Sequence, residues 1–202
     1  SVSEMAQSAK WILILFMFIA GISFTLIFKS FKSFKSLVES TEFKFYLFIV
    51  ISSSLIFIPK TLSISETYLE AINSALFTSL TLITTTGFTN IDYELWSVDY
   101  RAFILGLMFL GGMAGSTAGG LKTIRVIALL KSVRNAQIVV KDFNKNLPDN
   151  ILDLKSLPGI GDYTASAIMA IAFNKPIIPL DGNIERVLKR YLYLKNENQI
   201  HK

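Results

Sequence analysis

Two short stretches decide the fold of this chain. The first, the TTTGF segment, is Thr84-Thr85-Thr86-Gly87-Phe88, and the second, the glycine loop, is Gly111-Gly112-Met113-Ala114-Gly115-Ser116-Thr117-Ala118-Gly119-Gly120. Each lies in a long uncharged run, at residues 71–91 and 102–121. Runs of about 18 or more apolar residues are candidate transmembrane helices. Because glycine costs a helix roughly 1 kcal/mol relative to alanine, the glycine loop predicts a flexible, unwound piece between two half-helices.

Two further runs precede these stretches. Residues 11–28 are uncharged between Lys10 and Lys29, and residues 45–59 form a shorter uncharged run. Four such runs in 120 residues favour a membrane protein over the core of a soluble one. The fold expected is all-α, with three membrane-spanning helices and a re-entrant half-helix, followed by a small soluble helical module.

Loop charges predict the topology. The segments at 29–44 and 122–134 carry net charges of +2 and +4, whereas residues 60–101 carry −3. Because Lys and Arg accumulate on the cytoplasmic side, the first and last of these segments are expected inside and the middle one outside. Residues 71–91 must then enter and return without crossing: a helix from about Tyr68 to Ile83 enters, and the TTTGF segment returns.

The two stretches have chemistry that suits an ion path. Consecutive backbone carbonyls can replace the hydration shell of a cation, and glycine permits the dihedral angles that this needs. Discontinuous helices in membranes mark ion or substrate pathways. The alternatives are a threonine-rich helix cap or loop for the first stretch, and close helix packing through small residues for the second.

Together these residues resemble a known family. TTTGF followed by Asp92, Tyr93 and Trp96, and then GGMAGSTAGG followed by Lys122 and Arg125, is similar to the TrkH-type subunit of the Trk/Ktr potassium-transporter superfamily. The resemblance covers about residues 1–133, the end of a second repeat and a whole third repeat. It implies a selectivity filter strand at Thr84, Thr85, Thr86, Gly87 and Phe88, and a gate loop at Gly111, Gly112, Ala114, Gly115, Ser116, Thr117, Gly119 and Gly120.

The resemblance also implies the surroundings of the protein. K+ would be the transported ion. The protein would lie in the bacterial inner (plasma) membrane, in contact with membrane lipid. A cytoplasmic nucleotide-binding regulatory subunit would be a partner. In that family four repeats surround one pore. One filter strand cannot close a pore, so the other repeats would have to come from elsewhere.

From residue 135 onward the composition changes to that of a soluble helical domain, with charges at helical spacing. Asp149 or Asn150 is expected to cap one helix and Asp162 the next, around a sharp break at Leu157-Pro158-Gly159-Ile160-Gly161. Backbone N–H groups at the start of the second helix suit a phosphate of the DNA backbone. The alternative is an ordinary helix–helix corner.

This second part resembles another family. LPGIGDYTASAIMAIAF followed by IPLDGNIERVLKR is similar to the helix-hairpin-helix DNA glycosylases, specifically MutY adenine glycosylase. The resemblance implies a DNA-binding hairpin at Leu157, Pro158, Gly159, Ile160 and Gly161. It places Tyr163 where a related branch carries a Schiff-base lysine, and it makes Asp181 the catalytic carboxylate, in a glycosylase without lyase activity.

Composition excludes several kinds of site. The 202 residues contain no Cys, which excludes disulfides and an iron–sulfur cluster in this chain, and the single histidine is His201. The general-acid glutamate of the glycosylases has no counterpart here, since membrane sequence stands in its place. We therefore expect no glycosylase activity from the chain alone.

The domains expected are a transporter-like segment at 1–134 and a glycosylase-like fragment at 135–202. Their union is interpreted as a chimera of two fragments, either a true gene fusion or a join of two incomplete genes. The function expected is potassium transport by a segment that is incomplete on its own. The alternative is an A/G-mismatch adenine glycosylase fragment behind an unrelated membrane leader.

Overall fold

The computed structural model describes residues 5–191, which form ten α-helices and no strand. This confirms the all-α prediction. In chain order the helices are α1 (Gln7–Ala20), α2 (Phe24–Lys32), α3 (Lys35–Glu39), α4 (Thr41–Leu62), α5 (Tyr68–Ile83), α6 (Val98–Phe109), α7 (Thr123–Asp142), α8 (Ile151–Ser156), α9 (Asp162–Ile171) and α10 (Gly182–Tyr191).

The chain divides into two compact units between Ala128 and Leu129, inside α7. The predicted boundary after residue 134 lies farther along the same helix and stays a prediction. Each unit has its own hydrophobic core.

In the first unit, α4 is the helix that can span a membrane. It has 22 residues, and among the described residues it alone is long and apolar enough to cross as a single helix. Its N-terminus is capped by Ser40, whose side chain accepts a hydrogen bond from the backbone N–H of Phe43 at 3.3 Å. The predicted apolar run at 45–59 lies within it.

The first predicted span, residues 11–28, is wrong as one straight helix. It is broken between α1 and α2, which are bent by 97° and make at most one broken span. The break begins at Gly21, where an added Cβ would lie only 2.2 Å from the hydroxyl oxygen of Tyr46. Tyr46 is fully buried and donates to the carbonyl of Phe18 in the last turn of α1, at 3.1 Å. Only glycine leaves room for this ring.

Helix α5 has the bounds predicted for the re-entrant helix. Its 16 residues reach about 24 Å at 1.5 Å per residue, which is short of the roughly 30 Å of a bilayer core. Thr67 caps its start, and it packs against α1, α4 and α6. Residues 77–84 are buried without interruption, so the second half of this helix is enclosed on every side.

An aromatic cluster fastens the chain that follows α5. Phe57 of α4 lies 5.5 Å, centroid to centroid, from both Trp96 and Phe103, and Trp96 lies 5.6 Å from Tyr100. Such edge-on aromatic pairs add about 0.5–1.5 kcal/mol each beyond area burial. The cluster anchors the connection between the TTTGF segment and α6.

The second unit is built on the end of α7 and on α8, α9 and α10. Its core is formed by Leu154, Leu157, Ala165 and Met169. Asn150 caps α8 as predicted, accepting from the backbone N–H of Asp153 at 2.8 Å. The sequence predicts a helix from about Asn183 to Leu194. Helix α10 covers this stretch as far as Tyr191, and the residues beyond 191 lie outside the described part.

The predicted cap at Asp162 is wrong. Gly161 is the N-cap of α9, and Asp162 is the first helical residue. Its carboxylate instead pairs with the Lys155 ammonium at 2.5 Å. The ion pair competes for the oxygens that a cap would use.

We expect Gly21→Ala to lower the melting temperature of the detergent-solubilised chain, because the added methyl group displaces the buried Tyr46 ring. Overpacking of this kind costs about 1–3 kcal/mol. Gly106→Ala is the matched control, since Gly106 lies inside α6 with nothing within 4 Å of an added Cβ; its melting temperature should be unchanged or higher. Circular dichroism measures both, and equal melting curves would contradict the steric account.

Candidate functional site

The TTTGF segment turns back along the end of α5 and is held there by threonine hydroxyls. Thr84 donates to the Leu80 carbonyl at 2.7 Å. Thr81, in the last turn of α5, donates to the carbonyl of Phe88 at 2.9 Å. The segment is therefore a folded-back loop fixed at both ends. Thr84 is also the C-cap of α5, so the threonine-rich cap or loop considered from sequence remains an alternative to the filter strand.

Two residues of the TTTGF segment, separated by one, have a left-handed backbone conformation. Thr85 has φ 55° and Gly87 has φ 77°. A positive φ is uncommon outside glycine and is a true outlier for a β-branched residue, so the position of Thr85 is held by its contacts. Residues 85–89 are exposed, while Thr84 is buried. A cavity of about 220 Å³ lies beside the segment, and its lining includes Thr81, Leu82, Thr85, Gly87, Phe88, Tyr93 and Met108.

The glycine loop is closed at its base by a parallel β-bridge between Leu110 and Leu121. The N–H of Gly111 donates to the Leu121 carbonyl at 2.9 Å, and the N–H of Leu121 donates to the Phe109 carbonyl at 2.8 Å. Helix α6 ends at Phe109 and α7 begins at Thr123, so the predicted break between two half-helices is confirmed.

Two glycines of the loop are required by close backbone approach. A Cβ on Gly111 would lie 2.0 Å from the carbonyl oxygen of Gly119, and one on Gly112 would lie 2.7 Å from that of Gly21. Distances under 3.0 Å are excluded for real Cβ atoms. The loop is thus packed tightly on itself and on the break of the first helix.

The loop and the α1–α2 break satisfy each other's backbone groups. Met113 N–H donates to the Gly21 carbonyl at 2.9 Å, and Phe24 N–H donates to the Gly115 carbonyl at 3.1 Å. The hydroxyl of Thr117 donates to the Ala20 carbonyl at 3.1 Å. Sequence reasoning missed this partnership; the available signal was the single glycine in the run at 11–28.

Two charged side chains, treated from sequence as topology markers, also contact the loop. The Lys122 ammonium donates to the carbonyls of Ala118 and Ser116, the second at 3.4 Å. The Glu42 carboxylate accepts from the backbone N–H of Ala114 at 2.7 Å and from the Thr123 hydroxyl at 2.8 Å. The loop is therefore held by one cation and one anion.

The two sequence stretches touch directly. The N–H of Gly119 donates to the hydroxyl of Thr85 at 2.8 Å, and the same hydroxyl donates to the Thr84 carbonyl at 2.7 Å. An added Cβ on Gly119 would lie 3.2 Å from the Thr85 hydroxyl oxygen. One threonine side chain thus joins the TTTGF segment to the glycine loop.

In the second unit, the predicted hairpin residues form a tight turn. Gly159 has φ 86°, Ile160 N–H donates to the Leu157 carbonyl at 3.1 Å, and the Asn135 amide donates to the Pro158 carbonyl at 3.0 Å. Gly159, Gly161 and Tyr163 are exposed, and Leu157 is buried. The start of α9 is accordingly open to solvent.

Two acidic residues of this unit have structural partners. Asp162, beside the hairpin, has its pKa held below the ordinary value, first by the hydrogen bond from Lys155 and then by the charge of that ammonium. Asp181, the predicted catalytic carboxylate, accepts from the N–H groups of Asn183 at 3.0 Å and Ile184 at 2.6 Å. Asp181 therefore serves as the N-cap of α10 in this structure.

Within residues 5–191 there is no group of three His, Cys, Asp or Glu side chains that could hold a metal ion. The whole sequence contains no cysteine, so the chain cannot ligate an iron–sulfur cluster through thiolates. Potassium, by contrast, is a cargo that backbone carbonyls bind.

Comparison with known proteins gives two separate sets of relatives. The TrkH family, described as a cation transport protein, matches residues 40–151. The Trk system potassium uptake protein TrkH of Salmonella typhimurium is 32% identical over 157 residues, 70% of this chain and 32% of that protein. The crystal structure of the potassium transporter TrkH from Vibrio parahaemolyticus superposes with a TM-score of 0.63 at 25% identity, covering 84% of this chain and 44% of that one.

The other set consists of DNA repair enzymes. A thymine/uracil-DNA glycosylase of Methanothermobacter thermautotrophicus is 38% identical over 63 residues, 31% of this chain and 28% of that protein. Endonuclease III of Buchnera aphidicola is 30% identical over 110 residues, 54% of this chain and 50% of that protein. The chain spans about a third of the length of its transporter relatives. The comparisons confirm both resemblances and the chimera interpretation; assignment to the adenine branch stays a prediction.

We expect Thr85→Val to speed amide hydrogen exchange in the glycine loop, because valine keeps the branched shape but removes the acceptor of the Gly119 N–H. Loss of a hydrogen bond worth about 0.5–1.5 kcal/mol corresponds to roughly 2- to 13-fold faster exchange. Thr85→Ser keeps the hydroxyl and is the control. Exchange measured by mass spectrometry on peptides covering residues 111–121 decides, and equal rates in all three proteins would contradict the contact.

Proposed function

Because the chain belongs to the TrkH family of cation transport proteins, we propose that residues 1–134 form one potassium-conducting repeat of an inner-membrane transporter, together with the end of the preceding repeat. The observation that supports this best is the Thr85–Gly119 hydrogen bond, which joins a carbonyl-rich strand to an unwound loop. The TTTGF segment is proposed as one filter strand and the glycine loop as the gate beneath it.

The geometry suits each role. Residues 85–89 are exposed beside the end of a short helix. The Phe88 carbonyl accepts the Thr81 hydroxyl, so the carbonyls of Thr85, Thr86 and Gly87 are the proposed ion ligands. The positive φ of Thr85 and Gly87 turns successive peptide groups, which is what a strand of coordinating carbonyls needs. Three further strands from other repeats would complete the ring, and a nucleotide-binding regulatory subunit would act from the cytoplasmic side.

The glycine loop suits a gate because it is a compact, unwound segment between α6 and α7. It is held by discrete contacts: a bridge at its base, the Lys122 and Glu42 side chains, and the break of the first helix. Because contacts of this kind can be broken together, the loop would have two discrete positions, closed and open, rather than a continuous range of positions.

We test this proposal by grafting residues 41–134 in place of the third repeat of the Escherichia coli TrkH relative, in cells that lack other potassium uptake. We expect growth at low K+ and rubidium uptake. Gly87→Ala should lower uptake about 5- to 30-fold, because a left-handed residue other than glycine costs about 1–2 kcal/mol.

Gly106→Ala is the matched control and should transport normally, since Gly106 lies inside α6 with open space at its Cβ. Membrane levels of each graft are checked by immunoblot. A well-expressed graft without rubidium uptake, or equal uptake by the two alanine variants, would refute the filter assignment.

A second function, backbone binding to DNA, is proposed for residues 135–202, which would lie on the cytoplasmic side. It is supported by the exposed start of α9 behind the left-handed Gly159. N–H groups and the helix dipole at such a start attract phosphate without reading sequence. Asp162 opposes this attraction, and its ion pair with Lys155 neutralises part of its charge. Asp181 is retained as the candidate catalytic carboxylate of an adenine-glycosylase-like fragment.

For this second function we expect the full chain to bind a fluorescein-labelled DNA duplex with an affinity that falls as salt rises. Gly159→Ala should weaken binding, because alanine strains a backbone at φ 86°. Gly182→Ala, with no positive φ and open space, is the matched control. Fluorescence anisotropy measures both; absence of binding at about 10⁻⁴ M protein, the weak end of non-specific affinity, would refute DNA binding.

A further inference from the structure

Glu42 makes a contact that is long in sequence and short in space. Its Oε1 atom accepts hydrogen bonds from the backbone N–H of Ala114 at 2.7 Å and from the hydroxyl of Thr123 at 2.8 Å, residues 72 and 81 positions away. One bond lies in the middle of the glycine loop and the other at its exit. A single carboxylate oxygen thus fixes the loop to the start of α4.

The surroundings favour a carboxylate at this place. Glu42 lies in the first turn of α4, and Thr123 is the first residue of α7. Helix N-termini carry partial positive charge, and here two of them meet the same anion. Thr123 is 1% exposed, and its N–H donates to the carbonyl of Gly112 at 3.1 Å. Because the backbone of Thr123 is held in this way, its buried hydroxyl keeps its position beside Glu42.

Charge distinguishes this contact from most of the others that hold the loop. The bonds to Gly21, Ala20 and Thr85 are between neutral groups. Hydrogen bonds to an ionised acceptor are shorter and about twice as strong as neutral ones. Loss of the Glu42 contact is therefore expected to release the loop more than loss of any single neutral bond.

We propose that Glu42 is a positioning residue that holds the glycine loop shut, and that opening breaks its two hydrogen bonds together. The inference rests on the proposed gating function of the loop. Movement at the start of α4 would be transmitted to the loop through this carboxylate, with no direct contact to the ion.

The absence of cysteine from the sequence gives a clean reporter. Ala118, a residue of the loop that is only 3% exposed, is replaced by cysteine in the full chain in lipid nanodiscs, and the rate of labelling by a membrane-impermeant maleimide is measured. Adding Glu42→Gln should raise that rate about 5- to 13-fold, because the glutamine amide oxygen can still accept both bonds and only the difference of about 1–1.5 kcal/mol between a charged and a neutral hydrogen bond is lost.

Matched variants distinguish loss of the Glu42 contact from general destabilisation of the fold. Glu39→Gln removes an exposed carboxylate that pairs with Lys35 at 3.5 Å, and it should leave the rate unchanged. Thr123→Val, which removes the hydroxyl that donates to Glu42, should raise the labelling rate. Thr123→Ser, which keeps the hydroxyl, should leave the labelling rate at that of the unsubstituted residue. A cysteine at Ala75, fully buried in α5, should stay unlabelled in the Glu42→Gln protein.

Two results would overturn the proposal: an unchanged Ala118→Cys rate in the Glu42→Gln protein, or labelling of both reporters, which would make Glu42 merely structural. Labelling needs no ion flux, so it is independent of whether the grafted repeat transports. In a transporting graft, Glu42→Gln should increase rubidium uptake, whereas a structural defect would decrease it.

Discussion

Backbone polar groups that leave a helix at membrane depth must find partners inside the protein, since lipid offers none. This chain has two breaks in its apolar runs, at residues 21–23 and 110–122, and their backbone groups bond to each other. Met113 donates to Gly21, and Phe24 donates to Gly115. Neither break would be stable facing hydrocarbon alone. The positions of the TTTGF segment, of α5 and of the charged contacts follow from this mutual satisfaction.

Glycine in this loop provides close approach rather than looseness. The sequence suggested a flexible segment because glycines disfavour helix. The structure shows that Gly111 and Gly112 face other backbone atoms at distances that exclude a side chain. The loop is accordingly tightly packed, with its base closed by a β-bridge. A tightly packed loop held by a few specific contacts suits the proposed gate better than a mobile one, because its release would be cooperative.

Local patterns predicted the parts of the fold that depend on local chemistry. The bounds of α5, the Asn150 cap and the break at 110–122 follow from hydropathy, side-chain capping and glycine content. The break at Gly21 was missed because its cause is Tyr46, a residue on another helix. The Glu42–Ala114 and Thr85–Gly119 contacts join residues far apart in sequence. A periodic pattern along one sequence does not reveal such pairs. From sequence, Glu42 was interpreted only as a loop charge and Thr85 only as part of the TTTGF segment.

The proposed filter strand and the proposed gate are joined by one side chain. The Thr85 hydroxyl accepts from the loop while donating to the neighbouring carbonyl of Thr84. Loss of the bond from Gly119 removes one of the contacts that hold Thr85 at its positive φ. A displacement of the loop would therefore relax the backbone of the strand that is proposed to coordinate the ion. Since both ends of this connection lie in the first unit, the proposed coupling would be a property of one repeat, whichever chains supply the other three.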